Sequence, residues 1–264
     1  MTVCVSLAVN DCIVFAADSA ATLVTTNVDT HQSQILNVYQ HGDKVFNLYK
    51  GLPLVAMTCG MGNVGQASIG TLAKELRRRM LKGSAEWLLD PDNYKVIDVV
   101  TLARKLIYEE KFKTLEPPPA APHSLEFFVG GYGSDFDSGH EVWKISIVDG
   151  KCTEPILLVG SGSMGLHVGG QVAPINRLVG GFDPALEREL VSVGATPEDA
   201  AAFASQLRGN VAAPLVWPTM PVQDAIDLAS FLVELTTKYF RFLPGGRHCR
   251  RAYRSRGSNQ IRRI

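Results

Sequence analysis

Two apolar runs separated by one polar pair begin the chain. Residues 2–9 read Thr-Val-Cys-Val-Ser-Leu-Ala-Val, residues 12–17 read Cys-Ile-Val-Phe-Ala-Ala, and Asn10-Asp11 lies between them. Short apolar runs on either side of a polar two-residue turn are typical of a β-hairpin. Such a hairpin places Thr2, at the start of the first strand, near Asp18, at the end of the second.

The pattern beyond this hairpin predicts strands, then two helices, then strands, then helices. Residues 19–43 are rich in Thr, Asn and Gln, which indicates a long surface excursion. The strands are predicted at 44–48, 52–58, 125–132, 141–148 and 152–159. Helices are predicted from about 64 to 80, 95 to 113, after 163 to about 178, after Asp183-Pro184 and Thr196-Pro197, and at 222–240. This order is neither a repeat nor a regular βαβ alternation, so it favours an α+β fold.

Size and composition narrow the class of protein. A chain of 264 residues can form one layered domain with a full core, and 46% hydrophobic residues without a long apolar run indicate a soluble globular protein. No signal peptide is indicated at the N-terminus. The five cysteines and six histidines are scattered, without the spacing of a zinc site or a disulfide framework. We therefore expect reduced thiols, a cytoplasmic protein, no metal and no membrane segment.

Charge is unevenly distributed along the chain. Eight of the 26 basic residues lie from Arg241 onward, and no acidic residue follows Glu234. Residues 1–240 therefore carry 18 basic against 26 acidic side chains, a net charge of −8. The body is acidic and the tail is basic. A basic patch can bind nucleic acid, but this tail is the only feature that favours such a role, so no nucleic-acid partner is expected.

Thr2 is the first candidate for chemistry, because only Met1 precedes it. A small side chain at position two permits removal of the initiator methionine. Thr2 would then carry a free α-amine beside its own hydroxyl, which supplies a nucleophile and a base in one residue. The alternative is that Thr2 only begins a strand, as β-branched residues often do.

Several stretches, in this order and at this spacing, resemble the proteasome β-subunit family of N-terminal nucleophile hydrolases, in particular bacterial members that begin Met-Thr. The resemblance covers roughly residues 2–240. The stretches that carry it are Thr2 at the head of a strand, Phe15-Ala16-Ala17-Asp18-Ser19, Lys44-Val45-Phe46-Asn47-Leu48, Cys59-Gly60-Met61-Gly62, Gly131-Tyr132 through Trp143-Lys144 and Asp149-Gly150, and Val159-Gly160-Ser161-Gly162-Ser163.

The resemblance implies a four-layer αββα sandwich over residues 1–244 and a set of catalytic roles. Thr2 would be the nucleophile and Lys44 would favour its deprotonated form, while Asp18 would pair with Lys44. Gly60, with Gly62 as second choice, would supply an oxyanion N–H. Ser161 would orient the amine.

It also implies a threonine-type endopeptidase subunit of a self-compartmentalising particle. Such a particle consists of homo-oligomeric rings that take peptide or unfolded-protein substrates, with a possible ATP-dependent unfoldase as partner and no cofactor. Two alternatives stay open: a catalytically inactive, ring-forming subunit, and a small-molecule amidase on the same fold.

Two departures from the family pattern affect these expectations. The segment between Asp18 and Lys44 is about ten residues longer than the family usually shows, so their pairing depends on how that segment folds. The family also ends in an aspartate and a serine near a late turn, followed by an apolar strand, and neither follows Phe240 here.

The second departure suggests a frameshift in residues 245–264. Codons for His248-Cys249, for the paired arginines and for Ala252-Tyr253, shifted by one nucleotide, can encode Thr-Val, Gly-Gly and Pro-Ile, which would resume the expected turn and strand. As written, we expect a disordered, arginine-rich tail that leaves a sheet edge unpaired.

Overall fold

The computed structural model describes residues 2–26, 33–39, 41–116, 118–119, 123–135, 139–243 and 260–263. The protein is a mixed α/β fold in which every described strand pairing is antiparallel. Its strands are β1 (Val3–Val9), β2 (Cys12–Ala17), β3 (Ala21–Thr26), β4 (Ser33–Tyr39), β5 (Val45–Asn47), β6 (Leu54–Gly60), β7 (Asn63–Val64), β8 (Ala67–Ser68), β9 (Ser124–Tyr132), β10 (His140–Val148), β11 (Lys151–Cys152), β12 (Ile156–Val159), β13 (Gly165–Gly170) and β14 (Gln260–Arg263).

The α-helices form two groups along the chain, one between β8 and β9 and one between β13 and β14. They are α1 (Ile69–Lys82), α2 (Val96–Arg104), α3 (Ala173–Gly180), α4 (Leu186–Ser192), α5 (Pro197–Val211) and α6 (Val222–Phe242). A π-helix, Lys105–Phe112, continues directly from α2. None of the helices in the described ranges has both the length and the hydropathy that a membrane span requires.

Two main sheets form the centre of the molecule. Sheet I has the strand order β13-β1-β2-β14, and sheet II has the order β11-β10-β9-β6-β5, with β12 also paired to β10. The predicted N-terminal hairpin is confirmed: Cys4 is opposite Ala17, and Val9 is opposite Cys12 across the turn.

Alternation along β1 and β2 assigns their side chains to two separate cores. Successive residues of a strand point to opposite faces. Val3, Val5 and Leu7 pack with the buried face of α6, where Leu232 and Val233 lie. The intervening residues face sheet II instead, in a core that contains Cys4, Ala8, Ile13, Phe15, Met57, Cys59 and Phe128.

A third core lies between sheet II and the helices α1 and α2. Leu72 and Leu76 of α1 belong to this cluster together with Phe127 and Val129 of β9. The residues predicted to face inward from the second helix are all buried: Val96, Val99, Val100, Ala103 and Ile107. The apolar faces of α1, α2 and α6 are therefore buried against the two sheets.

The structure adds detail to the predicted excursion and departs from the predicted bounds at three other places. The excursion after Asp18 contains a hairpin of β3 and β4, with residues 27–32 outside the described part. The predicted strand 152–159 is two strands, because Pro155 cannot donate a ladder hydrogen bond. Val64 precedes α1 in the small β7–β8 hairpin, which turns at Gly65 with φ +57°. The segment after Ser163, predicted as a helix, begins with β13, whose glycines are weak helix formers.

The tail also differs from the prediction at its end. Gln260–Arg263 forms β14 and pairs with β2, Gln260 opposite Ala17 and Arg263 opposite Val14. The prediction that this sheet edge is unpaired is therefore wrong. Residues 244–259, which include most of the proposed frameshift, lie outside the described residues, so the frameshift stays a hypothesis.

Candidate active site

Backbone contacts hold the half-buried Thr2 at the start of β1. Its carbonyl accepts a hydrogen bond from the Gln171 N–H at 2.8 Å. Gly170, with φ +77°, lies so close that a Cβ there would be 2.1 Å from the Thr2 carbonyl oxygen. The N–H of the next residue, Val3, donates a hydrogen bond to a carboxylate. The position of Thr2 is thus set by β13 on one side and by the second strand of the hairpin on the other.

That carboxylate belongs to Asp18, just after β2. Asp18 Oδ1 accepts from the Val3 N–H at 2.8 Å, and Oδ2 accepts from the Ala20 N–H at 3.1 Å. The Asp18 N–H in turn donates to the Val3 carbonyl at 3.2 Å. The antiparallel hairpin produces this contact, because it brings the residue after its second strand level with the start of its first.

Lys44 completes the cluster. Its Nζ donates to Asp18 Oδ1 at 2.8 Å, and both side chains are only 9% exposed. The Lys44 carbonyl accepts from the Thr58 N–H at 3.0 Å, so the backbone that carries the ammonium is attached to β6 of sheet II. The predicted pairing of Asp18 with Lys44 is confirmed.

The long segment between these two residues is closed at its base. The Gly42 N–H donates to the Ser19 carbonyl at 2.8 Å, one residue beyond Asp18 and two residues before Lys44. The extra residues therefore leave along the β3–β4 hairpin and return without separating the ion pair. This contact explains how a longer excursion is compatible with the predicted site.

Gly60 ends β6 in a conformation that suits glycine, with φ +96°. A Cβ at this position would lie 2.1 Å from the Ser124 carbonyl oxygen, which accepts from the Met61 N–H at 2.8 Å. Gly62, the second choice, has open space around its Cα and no positive φ. A side chain is therefore excluded at Gly60 but has room at Gly62, whose carbonyl accepts a hydrogen bond from the Ile69 N–H at 3.0 Å. The role of either N–H towards an oxyanion stays a prediction.

Ser161 lies in the exposed turn after β12. A Cβ on Gly139 would lie 2.8 Å from its Oγ, which places the hydroxyl against the chain just before β10. Among the described residues, no hydrogen bond joins Ser161 to Thr2. The structure brings Thr2, Asp18 and Lys44 together through Val3, but it does not show the predicted contact of Ser161 with the amine.

Two thiols lie immediately behind these residues, and the sequence prediction did not include them. Cys4 Sγ donates to the Thr58 carbonyl at 3.1 Å, and Cys59 Sγ donates to Glu126 Oε2 at 3.1 Å. The pKa of the Cys59 thiol is raised well above its ordinary value. The largest cause is a side-chain hydrogen bond with Cys4, and burial is the second. Cys59 therefore stays protonated at neutral pH and links the sheets as a packed thiol rather than acting as a nucleophile.

Glu126 extends this polar layer towards solvent. Its Oε1 accepts from Lys144 Nζ at 2.8 Å. Strand alternation was the available signal, since Cys4 follows Thr2 by two residues and Cys59 precedes Gly60, and both thiols lie in the core between the sheets. Within the described residues, no three His, Cys, Asp or Glu side chains are grouped so that they could hold a metal ion.

The chain is similar to solved structures but matches no family model. No protein-family model matches the chain. No curated protein matches it either. Among solved structures, the chain is similar to the Anbu complex from Pseudomonas aeruginosa, described as a helical assembly, with 18% sequence identity and a TM-score of 0.40. The match covers 78% of this chain and 72% of that chain. A similarity of this degree does not identify a function.

Proposed function

We propose that the protein is a threonine-type peptidase subunit that hydrolyses peptide bonds through Thr2. The observation that supports this most is the buried Lys44–Asp18 ion pair, which is bonded to the backbone amide next to Thr2. A buried ion pair is weak evidence for stability alone, because desolvation of both charges offsets their attraction. A catalytic role for Thr2 explains why this pair lies beside it.

The chemistry requires that Met1 is removed. The Thr2 hydroxyl then attacks the scissile carbonyl, and the Thr2 α-amine takes the hydroxyl proton and delivers it to the departing amine. This step leaves an ester between Thr2 and the acyl half of the substrate. Water, deprotonated by the same amine, attacks the ester and restores the threonine hydroxyl. No cofactor takes part in these steps.

Lys44 and Asp18 have distinct parts in this mechanism. The Lys44 ammonium favours the anionic form of the threonine oxygen by its positive charge in a poorly solvated site. Asp18 orients the Lys44 ammonium through a hydrogen bond and also accepts the Val3 N–H. Gly60 is the first choice to supply the N–H that stabilises the oxyanion of each tetrahedral intermediate. Ser161 has the role of orienting the Thr2 α-amine.

The layer arrangement of the N-terminal nucleophile hydrolases belongs to the same proposal. Three separate cores support a four-layer αββα sandwich: one between α6 and sheet I, one between the sheets, and one between sheet II and α1 with α2. We further propose that the subunits assemble into rings in the cytoplasm and admit unfolded polypeptide, with an ATP-dependent unfoldase as a possible partner.

A threonine-to-serine comparison tests the function. We expect Thr2→Ala to abolish hydrolysis of fluorogenic peptides and Thr2→Ser to retain part of it, because serine keeps both the hydroxyl and the amine. Thr101→Ala, at an exposed position of α2, is the matched control and should leave turnover unchanged. Equal activity of Thr2→Ala and the wild-type protein would refute the assignment. Activity on small amides with none on peptides would favour an amidase.

A further inference from the structure

Three exposed cations follow one face of α1. Lys74, Arg78 and Lys82 are spaced four residues apart, so their side chains are neighbours on the same helix face. We call these three residues the α1 stripe. Leu81 is exposed beside it and is 41% accessible, and Leu88, after the helix, is 50% accessible.

The α1 stripe differs from most of the cations around it. Five neighbouring basic residues are paired with glutamates: Arg79 with Glu75 and Glu110, Arg104 with Glu109 and Glu154, Lys105 with Glu86, Lys111 with Glu75, and Lys113 with Glu109. Arg77, next to Arg78 on the same helix, forms no salt bridge with the described residues and adds to the positive charge of this part of α1. Within the described residues, no salt bridge is formed by Lys74, Arg78 or Lys82.

This difference is unexpected in a body of net charge −8. The helix dipole explains a cation in the last turn, where Lys82 lies, but not Lys74 near the middle of the helix. Three aligned cations without carboxylates leave a local positive field that suits an acidic partner.

An acidic surface of complementary character is present on α4 and α5 of the same chain. Residues 186–205 contain four acidic side chains and one basic side chain. Glu187 and Glu198 are exposed there. Exposed apolar side chains belong to the same segment, with Val193 81% and Phe203 51% accessible. This α4–α5 surface therefore matches the α1 stripe in both respects, with opposite charge and with exposed apolar area.

The two surfaces belong to opposite helix layers. α1 packs on the outer face of sheet II. α5 is attached to α3, since the Ala213 N–H that follows α5 donates to the Val179 carbonyl at 2.8 Å, and α3 packs in the outer core of sheet I. A contact between them thus joins different faces of two copies. Such a head-to-tail contact closes into a ring or continues as a filament, whereas a self-complementary patch stops at a dimer.

We propose that the α1 stripe of one copy docks on the α4–α5 surface of a second copy. This contact gives the residues of the subunit interface, and it rests on the assembly part of the proposed function, not on the peptidase chemistry. Lys74 and Arg78 meet the carboxylates around Glu187 and Glu198, and Leu81 covers apolar area beside Val193. Because the charges lie at a surface, the contact weakens as salt screens them.

Charge reversal of each surface tests the contact. One variant carries Lys74→Glu with Arg78→Glu, and a second carries Glu187→Lys with Glu198→Lys. A control variant carries Lys50→Glu with Lys151→Glu, two exposed lysines outside the contact that alter net charge by the same amount as the first variant. Particle mass is measured by light scattering at micromolar concentration, with circular dichroism to verify that each variant folds.

We expect the wild-type and control proteins to be particles of many subunits and each contact variant to have the mass of one subunit, 28.7 kDa. An equimolar mixture of the two contact variants should regain the large particle, since each reversed surface then faces its complement. If the wild-type protein assembles and either contact variant does so equally well, or if the mixture stays monomeric, this contact is wrong although assembly itself stands. A monomeric wild-type protein overturns both the contact and the assembly, while Thr2-dependent hydrolysis is measured separately.

Discussion

Lys44 Nζ and Asp18 Oδ1 lie 2.8 Å apart although 26 residues separate them in the chain, and both side chains are 9% exposed. The pair joins sheet I to the first strand of sheet II directly beside the start of β1. The same Asp18 oxygen accepts the Val3 N–H, so the charge of Lys44 and the position of Thr2 are coupled through one atom.

Removal of one member of this pair should affect both activity and stability. We expect Lys44→Ala to lower kcat about 10²-fold or more, because a group that stabilises developing charge is lost. The uncompensated Asp18 carboxylate should lower the free energy of unfolding by about 3–5 kcal/mol. Steady-state kinetics and urea unfolding measure these effects.

The double variant Lys44→Met/Asp18→Asn separates the two roles. It should recover most of the lost stability, since no buried charge is left unpaired, but none of the activity. Turnover of Lys44→Ala within a few-fold of the wild-type value would show that the site is misassigned.

Gly60→Ala should disrupt the site while Gly62→Ala should not. A Cβ on Gly60 would overlap the Ser124 carbonyl oxygen, and its φ of +96° is unfavourable for any other residue. The backbone at the end of β6 must therefore shift, and kcat should fall with a measurable loss of thermal stability. Gly62 has open space, so Gly62→Ala serves as the matched control. Equal kinetics for the two variants would exclude a role for the Gly60 backbone.

Local patterns in the sequence were sufficient for the N-terminal hairpin. The alternation of β1 and β2 and the two-residue turn specify one register, and that register places Asp18 beside Val3. The inward face of α2 was predictable for the same reason, because both features depend on residues close together in the chain. The Lys44–Asp18 pair spans 26 residues and was expected only from the family resemblance.

Features that depend on distant pairing were not predictable. β13 contains Gly165, Gly169 and Gly170, and it is a strand only because the edge of β1 offers hydrogen-bond partners. The π-helix after Arg104 has a regular helical pattern in the sequence, so the pattern does not distinguish it from an α-helix. The contact of Cys59 with Glu126 requires two strands 67 residues apart in the chain to lie side by side.

His167 should make stability depend on pH. Burial lowers the pKa of the His167 imidazole in the folded protein, with a smaller contribution from the Lys144 charge, although a backbone hydrogen bond involving Leu158 opposes it. Below the ordinary pKa of about 6.5 the unfolded chain binds a proton that the folded protein does not bind until lower pH. Stability is therefore lost as pH falls below that value.

Replacement of this side chain should flatten that dependence. Thermal unfolding between pH 5 and pH 8 should show a smaller loss towards acid for His167→Gln than for the wild-type protein. His41→Gln, at an exposed position, is the control and should behave as the wild-type protein does. An unchanged slope in His167→Gln would contradict the assignment.

Truncation after Leu243 should expose the edge of β2. Gln260–Arg263 pairs along residues Val14 to Ala17, and its removal leaves those backbone groups without ladder partners. We expect faster hydrogen exchange in peptides that cover 12–17 of the truncated chain than in the full chain. Identical exchange would mean that the tail does not pair in solution. Resequencing of the gene region decides separately whether residues 245–264 are frameshifted.

Intact mass spectrometry, after exposure to an electrophile that traps N-terminal threonine, measures whether Thr2 is an N-terminal nucleophile. We expect a chain that begins at Thr2 and gains one equivalent of the electrophile, with the adduct on Thr2 in the wild-type protein and no adduct in Thr2→Ala. An active preparation that retains Met1, or an adduct that persists in Thr2→Ala, would contradict it, because an acylated amine cannot act as the base.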